Sequence, residues 1–128
     1  MKSRKDIELM SPLTWAYVGD SVYEMFIRTS LVNKSNAKPH KLHIESIKYV
    51  KAAAQCNALK KIEEMLTEEE KDIVRRGRNT QNHHVAKNSN VIEYAYATAF
   101  EALIGYLYLS KQEDRLQELL QKIIEQKF

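Results

Sequence analysis

Apolar residues recur at helical spacing along most of the chain, and this periodicity constrains the fold more than any other feature of the sequence. The clearest case is an amphipathic helix predicted from about Gln112 to Gln126, whose apolar face holds Leu116, Leu119, Leu120, Ile123 and Ile124. Only three glycines and two prolines occur in 128 residues, and no segment alternates convincingly enough for a strand. The sequence therefore predicts an all-α fold.

Capping signals predict where the first helices begin. Ser11 followed by Pro12 is typical of a helix start, and this helix is predicted to run to about Leu31. Pro39 opens a helix or a pair of helices that reaches about Leu66.

Two further caps predict helices in the second half of the chain. Thr67 and Glu70 form a capping box for a short helix, which Gly77 is predicted to end in a left-handed conformation. Asn90, with Glu93 three residues on, is predicted to cap a long apolar helix.

Length and composition predict one compact domain, since 44% of the 128 residues are hydrophobic and 29% are charged. Cys56 has no second cysteine to pair with, which favours a reducing compartment, and we expect the cytoplasm. The N-terminus lacks the apolar core of a secretory signal. The apolar run from Tyr94 to Leu109 is interrupted by Glu101 and is too short for a membrane span, so no membrane association is expected.

Acidic residues stand inside both of the most apolar helices. The segment PLTWAYVGDSVYEMFI contains Asp20 and Glu24, and the segment AFEALIGYLYLS contains Glu101. A carboxylate in such a place loses hydration that an ordinary core does not replace. It must therefore be paired, line a wet cleft or hold a cation.

Glycines next to these acids predict that the two helices cross. Gly19 precedes Asp20, and Gly105 lies one turn after Glu101 on the same face. Glycine inside a helix costs about 1 kcal/mol relative to alanine, which indicates close approach of another backbone. The crossing would bring Asp20 to Glu101, and two such carboxylates need a shared proton or a cation such as Mg²⁺ or Mn²⁺. Pattern alone leaves a second reading open, in which Arg28 or another basic residue pairs with the acid.

The basic residues are concentrated in blocks that a polyanion could contact. Seven lysines face one acid between residues 34 and 61, and a second block follows an acidic cluster. For the second block we predict phosphate contacts with such a polyanion by Arg75, Arg76, Arg78, Asn79 and Lys87. The alternative is a solvated loop whose arginines only stabilise a helix end.

The segments AYVGDSVYEMFIR and TAFEALIGYLYLS resemble the two acidic motifs of the ribonuclease III catalytic domain, in the same order. The segment RRGRN is similar to the short Mini-III branch of that family. Too little chain follows the second motif for a double-stranded-RNA-binding domain, so we expect a single catalytic domain over residues 1–128.

The resemblance implies a homodimeric, Mg²⁺-dependent endoribonuclease, with Mn²⁺ as a substitute, that cuts double-stranded RNA to leave 5′-phosphate and 3′-hydroxyl ends. Asp20 and Glu101 would be its catalytic, metal-binding carboxylates. Maturation of the ends of large-subunit (23S) ribosomal RNA precursor is implied as its task, and presentation of the substrate by a ribosomal protein stays open. Tyr17 occupies the place of an aromatic residue that packs into the partner subunit, and Trp15 is predicted to join it, with core packing as the alternative for both.

The chain also departs from the family pattern. Full-length members carry further acids where this chain has Ala16 and Thr98, which leaves open whether one or two ions bind. Glu24 is expected to pair with Arg28 rather than to act in catalysis. Two other functions stay open: a non-catalytic RNA-binding or ribosome-assembly protein on the same fold, and a helical protein-interaction module.

Overall fold

A computed structural model describes residues 2–80 and 90–124, and within these ranges the chain forms helices and no strand, which confirms the all-α prediction. The α-helices are α1 (Arg4–Glu8), α2 (Pro12–Lys34), α3 (Pro39–Val50), α4 (Ala52–Ile62), α5 (Glu68–Asn79), α6 (Val91–Leu109) and α7 (Glu113–Ile124). One turn of 3₁₀-helix, Glu63–Met65, follows α4. None of the described helices has the length and apolar character needed to cross a membrane.

The predicted helix starts are confirmed by their hydrogen bonds. The Ser11 hydroxyl accepts from the backbone N–H of Leu13 at the start of α2. The capping box of Thr67 and Glu70 is complete in both directions at the start of α5. The Asn90 side chain accepts from two backbone N–H groups at the start of α6.

Helix α6 is the centre of the fold, with α2, α4 and α5 packed around it. Nearly every residue of α6 from Ala97 to Leu107 is buried, which explains why its sequence is apolar all round. Aromatic rings join it to α2, where Tyr23 meets Phe100 edge to face at 4.8 Å between ring centroids. Glu101 is therefore held in the middle of the best-packed helix of the domain.

Gly77 does not end a helix, contrary to the prediction from sequence. Helix α5 continues to Asn79, and no glycine among the described residues has a positive φ. A Cβ at Gly77 would lie 2.9 Å from the Cα of Ala99 and 3.0 Å from the Cβ of Ala102. Glycine is needed there because α5 and α6 approach closely, not because the chain turns.

Trp15 lies in the core of the protomer, so its predicted place in a dimer interface is wrong. Its ring is fully buried and stands edge-on to the Tyr106 ring, with 5.3 Å between the ring centroids. Its indole N–H donates to the carbonyl of Ile7 at 2.8 Å. Helix α1, which the sequence analysis did not predict, covers the ring. Arg76 completes this cover, since its guanidinium lies 4.6 Å from the Trp15 ring centroid and donates to the carbonyl of Glu8.

A buried ion pair ties α5 to α7. The Arg115 guanidinium makes two hydrogen bonds to the Glu70 carboxylate, at 2.8 and 2.9 Å, and the Glu70 side chain is only 4% exposed. Because Arg115→Met leaves that carboxylate buried without its partner, we expect the free energy of unfolding to fall by about 3 kcal/mol at pH 7, measured by urea denaturation.

A lower pH should reduce the difference in unfolding free energy between the wild type and Arg115→Met. Burial alone would raise the pKa of Glu70, but the hydrogen bonds from Arg115 and the cap hold it below its usual value of 4.5. A carboxylate with a lowered folded-state pKa stabilises the fold above its unfolded pKa, and that contribution is lost as the pH falls through the folded value. The wild type and Arg115→Met should therefore converge below about pH 4.5. Lys48→Met, which breaks an exposed pair with Glu45, is the control and should cost less than about 1 kcal/mol.

Candidate active site

Helices α2 and α6 cross backbone against backbone at the two glycines, as predicted. A Cβ on Gly19 would overlap the carbonyl oxygen of Glu101 and lie 2.8 Å from the backbone nitrogen of Gly105. A Cβ on Gly105 would in turn overlap the carbonyl oxygen of Trp15 and lie 2.8 Å from the nitrogen of Gly19. The contact is reciprocal, so both positions require the absence of a side chain.

The crossing brings the two predicted carboxylates together. Gly19 meets the backbone of Glu101 directly, so the carboxylates of Asp20 and Glu101 are close enough to interact, with Asp20 exposed and Glu101 half-buried. Burial and the neighbouring Asp20 carboxylate raise the pKa of Glu101 to about 8, an effect that the Gln55 amide partly opposes. The raised pKa therefore favours the protonated form of the Glu101 carboxyl near neutral pH.

The donor chemistry of this pair fits a hard divalent cation. Two adjacent carboxylates that share a proton present oxygen ligands of the kind that Mg²⁺ and Mn²⁺ prefer, and a cation would relieve their repulsion. In the described residues no group of three or more His, Cys, Asp and Glu side chains is placed to hold a metal. Ala16 and Thr98, which stand where the pattern of the resembled family has further acids, are both buried. Water would therefore complete the coordination, as is usual for Mg²⁺.

Arg28 does not neutralise Asp20. It forms an ion pair of 2.7 Å with Glu24, one turn away on α2, as the sequence predicts. The competing interpretation, in which Arg28 satisfies Asp20 as a structural ion pair, is therefore not supported. Glu24 is accounted for by a contact within its own helix.

Gln55 is the residue of this site that the sequence analysis missed. It lies on α4, is 3% exposed, and its side chain acts to lower the pKa of the Glu101 carboxyl. The one available signal was a long polar residue within the apolar segment AAAQCNAL, which did not show where the amide would point.

A broad groove opens beside Asp20 between α2 and α7. It has a volume of about 1000 Å³, and its walls include Tyr17, Met25 and Tyr108. These three apolar or aromatic side chains are 80%, 66% and 50% exposed. The predicted dimer residue Tyr17 thus stands at the surface next to the acid pair.

The basic end of α5 is fixed beside α6. The Arg78 guanidinium lies 5.8 Å from the ring centroid of Tyr96, five positions before Glu101 in the sequence. Arg75 is exposed and pairs with Asp72 in its own helix, and Asn79 is exposed at the helix end.

The other two members of the predicted RNA-binding set are Arg76 and Lys87. Arg76 is half-buried and is engaged by Trp15 and α1, which gives it a structural role. Lys87 lies outside the described residues.

Comparisons with known proteins agree with these features. Residues 13–112 match the family described as Ribonuclease III domain. The chain is 49% identical to a Mini-ribonuclease 3 of Staphylococcus aureus, with 92% of this chain and 90% of the relative covered. It is 47% identical to a Mini-ribonuclease 3 of a Thermoanaerobacter species, with 93% and 84% covered. A crystal structure of a protein from Fusobacterium nucleatum superposes with a TM-score of 0.85 at 32% identity, covering 96% of this chain and 98% of that one.

Proposed function

The chain belongs to the ribonuclease III domain family, and from this premise we propose that it is a metal-dependent endoribonuclease that cleaves double-stranded RNA. The observation that carries the proposal is the carboxylate pair of Asp20 and Glu101 at the glycine crossing of α2 and α6. A non-catalytic RNA-binding protein has no need for a second carboxylate beside the half-buried Glu101, since the arrangement costs stability.

The mechanism follows from the chemistry of the pair. Mg²⁺, or Mn²⁺ in its place, would supply a water of lowered pKa and stabilise charge on the scissile phosphate. Asp20, on the exposed side, presents its carboxylate to solvent and substrate, while Glu101 is held rigidly by α6. Attack by the oxygen of water on phosphorus, with cleavage of the bond to the 3′ oxygen, leaves 5′-phosphate and 3′-hydroxyl ends.

Exposed basic and polar side chains are available for the RNA backbone. Arg75, Arg78 and Asn79 lie at the end of α5. This end packs against α6, the helix that carries Glu101. Duplex RNA is recognised mainly through phosphates and 2′-hydroxyls, which these donors can contact. Lys87 extends this proposed set. The proposed natural substrate is the precursor of large-subunit (23S) ribosomal RNA, processed in the cytoplasm. A ribosomal protein that presents this RNA is a further proposed partner.

Incubation of the protein with a long RNA duplex in Mg²⁺ tests this function. We expect internal cuts in the duplex, none in EDTA, and much slower cutting of the single strands or of a DNA duplex of equal length. Sequencing of the product ends checks the expected 5′-phosphates. Binding of the duplex without cleavage in Mg²⁺ or Mn²⁺ would support the non-catalytic RNA-binding protein instead.

A second copy of the chain is the proposed partner for the groove beside Asp20. Cutting both strands of a duplex calls for two sites related by symmetry, and the exposed rings of Tyr17 and Tyr108 need cover. We expect a dimer in sedimentation equilibrium and at least tenfold weaker dimerisation in Tyr17→Lys. Leu9→Lys, an equally exposed apolar position near α1, is the control and should stay dimeric. A monomeric wild type, or a Tyr17→Lys protein as dimeric as the control, would contradict this partner.

A further inference from the structure

Helix α1 is held in place by side chains of other helices. The carbonyl of Ile7, whose side chain is buried in the core, accepts from the indole N–H of Trp15 at 2.8 Å. Arg4 donates to both oxygens of the Glu69 carboxylate on α5, at 2.7 and 2.9 Å. The Tyr106 hydroxyl on α6 donates to the same carboxylate at 2.7 Å. A helix of five residues is not stable alone, so these contacts keep α1 folded against the domain.

Arg76 joins α1 to the last turn of α5. Its guanidinium lies 4.6 Å from the centroid of the Trp15 ring and donates to the carbonyl of Glu8 at 3.0 Å. Its backbone carbonyl, one of those that a helix end leaves without an intrahelical partner, accepts from the Thr80 hydroxyl at 2.7 Å. Arg76 is therefore anchored through both its side chain and its backbone.

The anchored turn also carries the proposed RNA contacts. The side chains of Arg75, Arg78 and Asn79 are exposed, whereas that of Arg76 turns inward to α1 and Trp15. The last turn of a helix opens more easily than its middle, because its final carbonyls lack partners. A side chain that contacts phosphate binds more tightly from a fixed backbone, because less freedom is lost on binding.

We propose that α1 is a strap that acts through Arg76 to fix the last turn of α5, which makes Arg76 a positioning residue for duplex binding. This inference rests on the proposed function. Arginine suits the place because its planar group lies on the Trp15 ring while an edge N–H donates to a carbonyl. Positive charge alone at position 76 is then not sufficient.

Two substitutions of Arg76 separate positioning from charge. Arg76→Lys keeps the positive charge and Arg76→Met removes it, and we expect both to weaken duplex RNA binding in EDTA at least fivefold. Most of the single-turnover rate should return at saturating protein, because the acid pair is untouched. Arg28→Lys, at an exposed arginine on α2, is the matched control and should bind within twofold of the wild type. Wild-type affinity in Arg76→Lys would overturn the proposal.

A substitution in α1 tests the same coupling from the other side. Ile7→Gln replaces the buried anchor without a change in net charge and should release α1. Trp15 is the only tryptophan of the sequence, so a shift of its fluorescence to longer wavelength reports the loss of cover. Leu9→Gln, the same kind of change at a position that is 76% exposed, is the control and should leave the spectrum unchanged.

The double variant decides whether Arg76 acts through α1. We expect Ile7→Gln to weaken duplex binding as much as Arg76→Met does, and the double variant to bind within twofold of either, because each change breaks the same attachment. Losses that add would mean that Arg76 contacts RNA itself, which would overturn the proposal. If Ile7→Gln does not fold, as judged by circular dichroism, the comparison of Arg76→Lys with the wild type decides alone.

Hydrogen exchange without RNA distinguishes this inference from the proposed function. Amide exchange of residues 77–80 should be at least tenfold faster in Ile7→Gln and Arg76→Met than in the wild type. A wild type that binds no duplex RNA would overturn the function, and faster exchange in the two variants would still support the attachment of α5 by α1. A wild type that binds duplex RNA, with unchanged exchange in both variants, would overturn the strap alone.

Discussion

Replacing Glu101 with Gln should lower the single-turnover rate of duplex RNA cleavage by roughly a thousandfold, because a bound cation contributes several kcal/mol to stabilisation of the transition state. Asp20→Asn should have a loss of similar size, since both carboxylates are needed to hold the same ion. The two losses should not add in the double variant, because the first already removes the ion. Rapid-quench kinetics at saturating protein measures all three rates.

Stability and binding serve as controls for these two variants. Burial disfavours the charged form of Glu101, as its raised pKa shows, so Glu101→Gln should be at least as stable as the wild type in EDTA. Both variants should bind duplex RNA with near wild-type affinity, measured in EDTA. Near wild-type cleavage by either variant would mean that the acids are structural.

Adding one methyl group at the helix crossing should strongly destabilise the fold. Gly105→Ala places a Cβ on the carbonyl oxygen of Trp15, and Gly19→Ala places one on the carbonyl oxygen of Glu101. Alanine normally stabilises a helix relative to glycine, so the sign is reversed here by the clash between backbones. We expect each variant to lose at least about 3 kcal/mol of unfolding free energy, at or beyond the upper end of ordinary overpacking.

Thr14→Ala is the matched control for the glycine variants, since Thr14 lies on an exposed part of α2 outside the groove. It should leave the unfolding free energy within about 0.5 kcal/mol of the wild type. Where a glycine variant still folds, its cleavage rate should fall by more than the loss of folded protein explains, because the separation of the helices also separates Asp20 from Glu101. Gly19→Ala with wild-type stability would contradict the close crossing.

The features that could be predicted from the sequence were those indicated by neighbouring residues or by the same pattern in two segments. Caps at Ser11, Thr67 and Asn90 are recognisable because a side-chain oxygen meets backbone donors two or three residues away. The crossing was predictable because glycine inside an apolar helix has a cost that close packing explains, and Gly19 and Gly105 stand beside the acids.

The features that could not be predicted depend on which faces of the helices meet. Gly77 carries the same signal at a helix end, where a left-handed cap and a close helix contact are indistinguishable in sequence. Helix α2 is apolar nearly all round, so its periodicity did not separate the buried Trp15 from the exposed Tyr17. Helix α1 has five residues, too few for a periodic pattern, and it is stabilised by contacts with Trp15 and Arg76.

The site was predictable only in part for the same reason. Asp20 and Glu101 were identified because charge in an apolar helix is anomalous wherever the helix packs. Gln55 is uncharged, and it lies forty-six positions from Glu101 on another helix. Arg76 resembled its neighbours in the basic segment until the structure showed that α1 and Trp15 engage it.

We propose that the crossing of α2 and α6 builds a divalent-cation site from Asp20 and Glu101. Its most direct test is an equilibrium titration of the metal-free protein with Mn²⁺ by calorimetry, beside Asp20→Asn and Glu101→Gln. We expect saturable binding that Mg²⁺ displaces and that each substitution weakens at least tenfold. Wild-type protein that binds no Mn²⁺, or variants that bind it equally well, would contradict it.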